Sequence, residues 1–339
     1  MKQDPPQNEA PIDAVNTKEK IPVDTRKPSE RDTMHLAVVS CGERVRDTLV
    51  MIKSACTVSE KKVHVHIFAD DDNRPKYQKE LSSWKFVESG KLLFTIYPIT
   101  YPRGEKNDWI KLFRPCATQR LFLPDVLPNV ELILYVDTDI LFLQSMDSIW
   151  RFFDDFNATH IAALAPEHED PHVGWYNRFA RHPYYPPLGL NSGVMLMNLS
   201  RMREVKFVDE MPPYLKKYKY SITWGDQDLL NIYFHFYPEK LLVYPCQWNY
   251  RPDHCMYMSV CKTAEQDGAQ VLHGCRGVFM NEKQPMFRAV FEAFEDHKVE
   301  DGLGALVDSF KTKIDAAKAS NCGRVRHIFT KVLEGRKKL

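Results

Sequence analysis

The apolar residues come in short runs whose period switches back and forth, and the switching sets out alternating strands and helices. Met34-His35-Leu36-Ala37-Val38-Val39-Ser40-Cys41-Gly42 reads as a strand that ends in small residues. Residues 44–57 carry Val45, Leu49, Ile52 and the pair Ala55-Cys56 at helical spacing. A second strand over 63–69 closes on the acidic turn Asp70-Asp71-Asp72-Asn73. A helix over 75–84 and a third strand over 92–97 follow. This alternation predicts an α/β domain with a mainly parallel central sheet flanked by helices, with ligands beyond the carboxyl ends of the strands. His64 and His66 alternate with apolar neighbours and so share one strand face. They read as half-exposed strand residues rather than metal ligands.

The longest apolar run is Leu132-Ile133-Leu134-Tyr135-Val136-Asp137-Thr138-Asp139-Ile140-Leu141-Phe142-Leu143, and two carboxylates interrupt it. Burying an unpartnered Asp costs about 2 to 3 kcal/mol even after relaxation, so both acids belong at the open end of the strand. At positions i and i+2 of extended chain they point the same way and repel unless a cation lies between them. A divalent metal shared with a phosphate is the cation that also does chemistry. A solvated turn is the simpler alternative, and the apolar sequence on both sides argues against it.

A helix is expected after Pro115, where Arg120 lies on a largely apolar element. A buried Arg needs an acidic or phosphate partner: either a structural ion pair, with Asp125 or another acid, or a clamp on a ligand. An amphipathic helix over 148–156 and a strand over 161–165 come next. After them Glu167-His168-Glu169-Asp170 and Trp175-Tyr176-Asn177-Arg178-Phe179 form a polar, aromatic stretch without periodicity. It reads as a loop, suited to a polyhydroxylated ligand or simply packed. A strand over 190–198 opens on Asn191-Ser192-Gly193, where Gly193 lets a ligand approach the backbone and Asn191 offers a donor and an acceptor. Trp224-Gly225-Asp226-Gln227-Asp228 begins a helix that Asp226 is placed to cap. Strands over 241–244 and 271–274 follow, the second releasing His273 at its end, and the chain past Gly302 is helical and lysine-rich.

A formal charge of +1 gives no reason to expect a nucleic-acid partner. Residues 1–33, rich in Pro and charge, read as a disordered linker or stem ahead of a catalytic domain over 34–300. Residues 301–339 form a C-terminal helical segment with a basic tail. No apolar stretch approaches the ~20 residues that span a bilayer, so the expectation is either a soluble chain or one lacking its anchor. The 8 cysteines show no CxxC spacing. Cys255, Cys261 and Cys275 cluster after Cys246 and permit one or two disulfides. Together with sequons at Asn157 and Asn198 they favour an oxidising lumen.

Asp137, Asp139 and His273 at strand ends, an amide-bearing Asn191-Ser192-Gly193 and the Gly225-Asp226-Gln227-Asp228 set describe one site. Mixed carboxylate and imidazole donors suit Mn²⁺, a Lewis acid for a diphosphate leaving group. The ordered motifs Ala117-Thr118-Gln119-Arg120-Leu121, Leu134-Tyr135-Val136-Asp137-Thr138-Asp139, Asn191-Ser192-Gly193-Val194, Gly225-Asp226-Gln227-Asp228 and Leu272-His273-Gly274 resemble glycosyltransferase family 8. Trp175 to Tyr185 and Cys246-Gln247-Trp248-Asn249-Tyr250-Arg251-Pro252-Asp253-His254 resemble its glucoside xylosyltransferases.

The resemblance implies a GT-A (Rossmann-like) nucleotide-sugar fold and a retaining, Mn²⁺-dependent transfer from UDP-xylose. The implied acceptor is O-linked glucose on epidermal growth factor-like repeats of Notch-type receptors, in an α1,3 linkage. It implies a type II membrane protein facing the Golgi or endoplasmic reticulum lumen, with an anchor that this chain lacks. By the same resemblance Asp137, Asp139 and His273 hold the metal. Val39, Ser40 and Cys41 meet the nucleoside, and Arg120, Thr138, Asp226, Gly274 and Lys283 lie along the donor. Asn191 and Ser192 lie near donor sugar and acceptor, with Gln227 and Asp228 at the reacting carbon. Retention by double displacement needs a carboxylate nucleophile, whereas a front-face route uses the leaving phosphate as base.

Other donors, UDP-glucose or UDP-galactose, remain open. Two departures stand out: Lys283-Gln284-Pro285 lies farther from His273 than the family pattern expects, and the 202–220 segment is short and contains Pro212-Pro213. The proline pair predicts a missing helix. An impaired, nucleotide-sugar-binding homologue would follow from that loss. An aspartate-nucleophile phosphatase also uses Asp-x-Asp after a strand, but Ile140-Leu141-Phe142 is too bulky for it.

Overall fold

A computed structural model of the chain describes residues 33–101, 109 and 116–336. Residues 1–32 of the stem expected over 1–33, residues 102–108 and 110–115, and the end of the basic tail lie outside the described residues, while Thr33 already belongs to a strand. Strand β1 (Thr33–Ser40) leads to helix α1 (Val45–Val58), β2 (Lys62–Ala69), α2 (Arg74–Ser82) and β3 (Leu92–Pro98). The predicted run at 132–143 is two strands, β4 (Leu132–Val136) and β5 (Ile140–Phe142), with the two acids in the turn between them. Then come β6 (Ala162–Pro166), the short helix α3 (Trp175–Phe179), β7 (Leu190–Asn198), α4 (Phe207–Tyr218), α5 (Asp226–Phe236), β8 (Leu241–Val243) and β9 (Val271–His273). Helices α6 (Pro285–Asp296), α7 (Gly302–Ala316) and α8 (His327–Arg336) close the chain.

Among the described residues, seven strands form one sheet in the order β3-β2-β1-β4-β7-β6-β8. Neighbours run parallel except for β7, which is antiparallel to β4 and β6. Alternation along each strand feeds two cores. Leu36, Val38, Val65 and Val136 face Met51 and Ile52 of α1 and the apolar sides of α6, α7 and α8. Ala37, Val39, Ile133, Tyr135 and Met195 face Phe207 and Met211 of α4 and Leu229, Leu230 and Tyr233 of α5. With helices on both faces, the strands must be apolar on both sides, which is why they read as near-continuous hydrophobic runs. The antiparallel entry of β7 brings its first residues to the carboxyl end of β4, where Asp137 N–H donates to Gly193 O at 2.8 Å. A separate pair, β5 with β9, sets His273 opposite Ile140.

Several expectations are corrected. The segment after Pro115 is a 3₁₀ turn (Ala117–Phe122) followed by one short α-turn (Leu123–Val126), where Pro124 sits at the start. The helix expected over 148–156 begins earlier, at Met146–Trp150 with Ser145 as its cap, and tightens to a 3₁₀ turn at Arg151–Asp155. Residues 175–179 are helical rather than a loop. The 202–220 segment keeps a helix, α4, with Pro212 and Pro213 inside it. Phe207, Met211 and Leu215 recur every fourth residue and are buried, and their packing outweighs the backbone hydrogen bonds that the prolines remove. His66 is buried rather than half-exposed, packed among the rings of His35, His64 and Tyr97, while His64 is half-buried as expected.

The disulfides are Cys41–Cys116, Cys246–Cys261 and Cys255–Cys322, while Cys56 and Cys275 keep free thiols. No helix among the described residues is long and apolar enough to cross a membrane.

Candidate active site

Asp137 and Asp139 leave the carboxyl end of β4, and β9 brings His273 against them. His273 Nε2 lies 3.8 Å from Asp137 Oδ2 and 3.5 Å from Asp139 Oδ1. One ligand atom from each of the three falls within 4.8 Å of the others. His273 and Asp137 are each oriented by partners behind them. His273 Nδ1 lies 2.9 Å from Asn249 Oδ1, so Nδ1–H donates there and Nε2 is the ring nitrogen turned to the acids. Asn249 in turn donates to Asn191 Oδ1 at 2.8 Å, and Gly193 N–H donates to the same oxygen at 3.1 Å. Gly274 N–H donates to Asp139 O at 2.7 Å, tying the metal-ligand strand to the acidic turn.

Arg120 is the hub on the other side. Its Nη2 donates to Asp137 Oδ1 at 2.8 Å, its Nη1 donates to Ser192 O at 2.7 Å, and its Nε pairs with Asp226. The guanidinium stacks 4.3 Å above the Tyr135 ring, and Tyr135 O–H donates to Asp137 Oδ1 at 3.0 Å. The ion-pair partners are therefore Asp137 and Asp226, not Asp125. Burial raises the Asp226 pKa to about 6, against the lowering effect of Arg120. For Asp139, His273 outweighs burial and holds the carboxyl below its ordinary value. Burial works against a charged ring at His273, but Cys275 and Asp139 raise its pKa to about 10. Surroundings that favour a proton here favour a divalent cation as well. Two carboxylates, one imidazole with a fixed tautomer and an open side toward the strand ends are a donor set that fits Mn²⁺.

The start of α5 supplies the third wall. Gly225 turns the chain at φ 63°, and Asp226 is the helix's first residue rather than its cap. The backbone N–H groups of the turn are held by Asp228, whose Oδ2 accepts from Thr223 N–H and Trp224 N–H at 2.7 Å each. Its Oδ1 accepts from Tyr176 O–H at 2.7 Å, and His182 Nε2 lies 3.3 Å from Oδ2. Asp228 is wholly buried by these contacts. Gln227 faces the opening, and its Oε1 accepts from Ser192 N–H at 3.1 Å.

Residues 35–276 match the family model described as glycosyl transferase family 8. The chain belongs to glycosyl transferase family 8. It is 52% identical to mouse glucoside xylosyltransferase 1 over 91% of this chain and 78% of that protein. It is 50% identical to Xenopus laevis glucoside xylosyltransferase 2 over 91% of this chain and 75% of that one. Two solved structures share the fold at 17% identity. Mouse xyloside xylosyltransferase 1 has a TM-score of 0.50, covering 72% of this chain and 98% of its own. The galactosyltransferase LgtC, in complex with donor and acceptor sugar analogues, has a TM-score of 0.56, covering 84% and 96%. The fold of this family 8 chain is the GT-A arrangement.

The remaining candidate residues of this family 8 chain are placed less centrally. Val39 ends on the α4–α5 side of the sheet. The Ser40 hydroxyl is turned into the other core, 2.5 Å from Tyr77 O–H and 3.0 Å from Thr48 Oγ1. Cys41 is tied to Cys116, which fastens the end of β1 to the turn that carries Arg120. Thr138 is half-buried between the two acids, and Lys283 is exposed in the turn before α6. Of the sequons, Asn157 is exposed. Asn198 ends β7 and caps the following helix, accepting from Arg201 N–H at 3.0 Å.

Sequence reading did not single out Tyr135, Asn249, Tyr176, His182 or Asn231 as site residues. Tyr135 carried a signal as the one polar side chain in an apolar run ahead of the acids, and Tyr176, His182 and Asn249 lie in the stretches that carry the family resemblance, where no role was assigned to them. Gly193 was expected to admit a ligand, but it admits His273: a Cβ there would lie 2.1 Å from His273 Cε1.

Proposed function

We propose that the chain is a retaining UDP-xylosyltransferase that adds xylose in an α1,3 linkage to O-linked glucose on epidermal growth factor-like repeats. The observation that carries this reading is the 52% identity with mouse glucoside xylosyltransferase 1 across 91% of the chain. Asp137, Asp139 and His273 would hold Mn²⁺, which when bound supplies Lewis-acid stabilisation of the departing diphosphate. Arg120 keeps the Asp137 carboxylate turned toward the ion, and Asn249 keeps His273 in the ligating tautomer. Asp228 is spent on Tyr176 and two backbone N–H groups, and Asp226 on Arg120. Their burial supports a front-face route, in which Gln227 lines the reacting carbon and no carboxylate attacks it.

The acceptor side is aromatic. Trp175 and Trp224 meet edge-on at 5.6 Å, Phe179 lies 6.3 Å from Trp175, and Phe179 and Trp224 are exposed beside the start of α5. Such faces suit the C–H face of a glucose ring and the apolar surface of a small repeat domain. Three disulfides support an oxidising lumen, the Golgi or endoplasmic reticulum, as the place of work.

The test is incubation with UDP-xylose and an O-glucosylated repeat, with and without Mn²⁺. Metal-dependent xylose transfer that Asp139→Asn abolishes in a folded protein is the expected result. Transfer from UDP-glucose or UDP-galactose instead, or no transfer at all, would overturn the reading.

A further inference from the structure

Three histidines lie together on the sheet face turned away from α1. His64 and His66 project from one face of β2, and His35 is the register partner of His64 on β1. Ring centroids are 5.3 Å apart for His35–His64, 5.2 Å for His35–His66 and 4.3 Å for His64–His66. One ring nitrogen from each falls within 4.8 Å of the other two. His35 precedes Ser40 by five residues and His66 precedes Ala69 by three, which at 3.3 Å per residue sets them about 16 Å and about 10 Å back from the strand ends. That is too far for any of the three to share an ion with Asp137, Asp139 and His273.

The surroundings suit a ligand set. His66 Nε2 and His35 Nδ1 are hydrogen-bonded at 2.9 Å, so an ion taking both nitrogens would displace the proton they share. His66 Nδ1 lies 3.1 Å from Tyr97 O–H, and His64 Nε2 lies 2.9 Å from Thr95 Oγ1. A hydroxyl holding one nitrogen of a ring fixes which nitrogen is left to ligate, as outer-shell partners do in metal sites. An all-apolar sheet face would need none of these nitrogens satisfied.

We propose that His35, His64 and His66 bind a zinc ion that clasps β1 to β2. Three imidazoles with a fourth position open are a recognised zinc set, and imidazole donors select Zn²⁺ over the harder Mn²⁺. The ion would fasten the two strands whose carboxyl ends, Ser40 and Ala69, border the active site.

The test uses the full chain stripped with chelator, with Asp139→Asn introduced to weaken the first site, and zinc titrated against a chromophoric chelator. One zinc per chain is expected, and Co²⁺ in its place should give the visible absorption of a tetrahedral site. His64→Gln and, separately, His35→Gln should each weaken binding by at least about 100-fold while the metal-free protein melts as before. No zinc bound in the Asp139→Asn protein, or zinc bound equally well after both substitutions, would overturn the proposal. So would Co²⁺ spectra unchanged by either histidine substitution.

Discussion

Gly193 is the residue on which the metal-ligand geometry turns. Its missing side chain leaves room for the His273 ring, and a Cβ would sit 2.1 Å from Cε1 and 2.6 Å from Nδ1. The backbone cannot yield, because Gly193 O accepts from Asp137 N–H while Gly193 N–H donates to Asn191. Gly193→Ala should therefore swing His273 away from the two acids and break its bond to Asn249. The expected outcome is a loss of Mn²⁺ affinity of about 10- to 100-fold or more, with little change in melting temperature, measured by metal titration and thermal unfolding. Unchanged affinity would mean that the ring tolerates displacement. Asp137, Asp139 and His273 were legible in the sequence because charge breaking an apolar run has few structural uses. The role of Gly193 was not, because it depends on a ring supplied by a strand far away in the chain.

At the scale of elements, the turn into α5 depends on one buried carboxylate. Asp228 takes hydrogen bonds from Tyr176, Thr223 and Trp224, so α3 and α5 are joined through it. Asn231 Nδ2 donates to Tyr176 Oη at 2.9 Å, and Gln227 Nε2 does so at 3.3 Å, so the same hydroxyl also fixes Gln227, the residue proposed to line the reacting carbon. Tyr176→Phe leaves one oxygen of a wholly buried carboxylate short of a partner, which costs about 1 to 3 kcal/mol. Chemical denaturation should report that loss, and transfer activity should fall as well because Gln227 is released. Full activity together with the stability loss would separate Gln227 from the chemistry. The start of α5 was visible in Gly225-Asp226-Gln227-Asp228, yet Asp226 is not the cap it was expected to be: Asp228 holds the turn and Asp226 meets Arg120. Spacing alone does not say which acid an arginine from another element will reach. In α4 the sequence cue misled, because two prolines outweighed on paper a buried stripe of Phe207, Met211 and Leu215 that packing favours.

At the scale of the whole molecule, the alternation of strands and helices was legible because a sheet covered on both faces must be apolar on both, and the antiparallel turn of β7 was not, because direction leaves no mark on a buried run. The burial of His66 also predicts an acid response. Burial, with smaller contributions from His64 and His35, pushes the His66 pKa from 6.5 down to about 2. An unfolded chain takes up a proton at this position below about pH 6.5, whereas the folded one does not until about pH 2. The neutral ring therefore stabilises the fold above pH 6.5, and that contribution is lost as pH falls from 6.5 toward 2. Each such group gives a slope of at most about 1.4 kcal/mol per pH unit. His254 is likewise buried and held well below its ordinary value, so it adds to the same slope. His182 opposes it: Asp228 outweighs burial and raises its pKa, so its contribution is present at low pH and fades as pH rises through the raised value. In chelator-treated protein, urea unfolding should show stability falling between pH 7.5 and pH 5. His66→Phe, stacked against Tyr97, should remove about one group's share of that fall. An identical slope in the variant would place the acid sensitivity elsewhere in the fold.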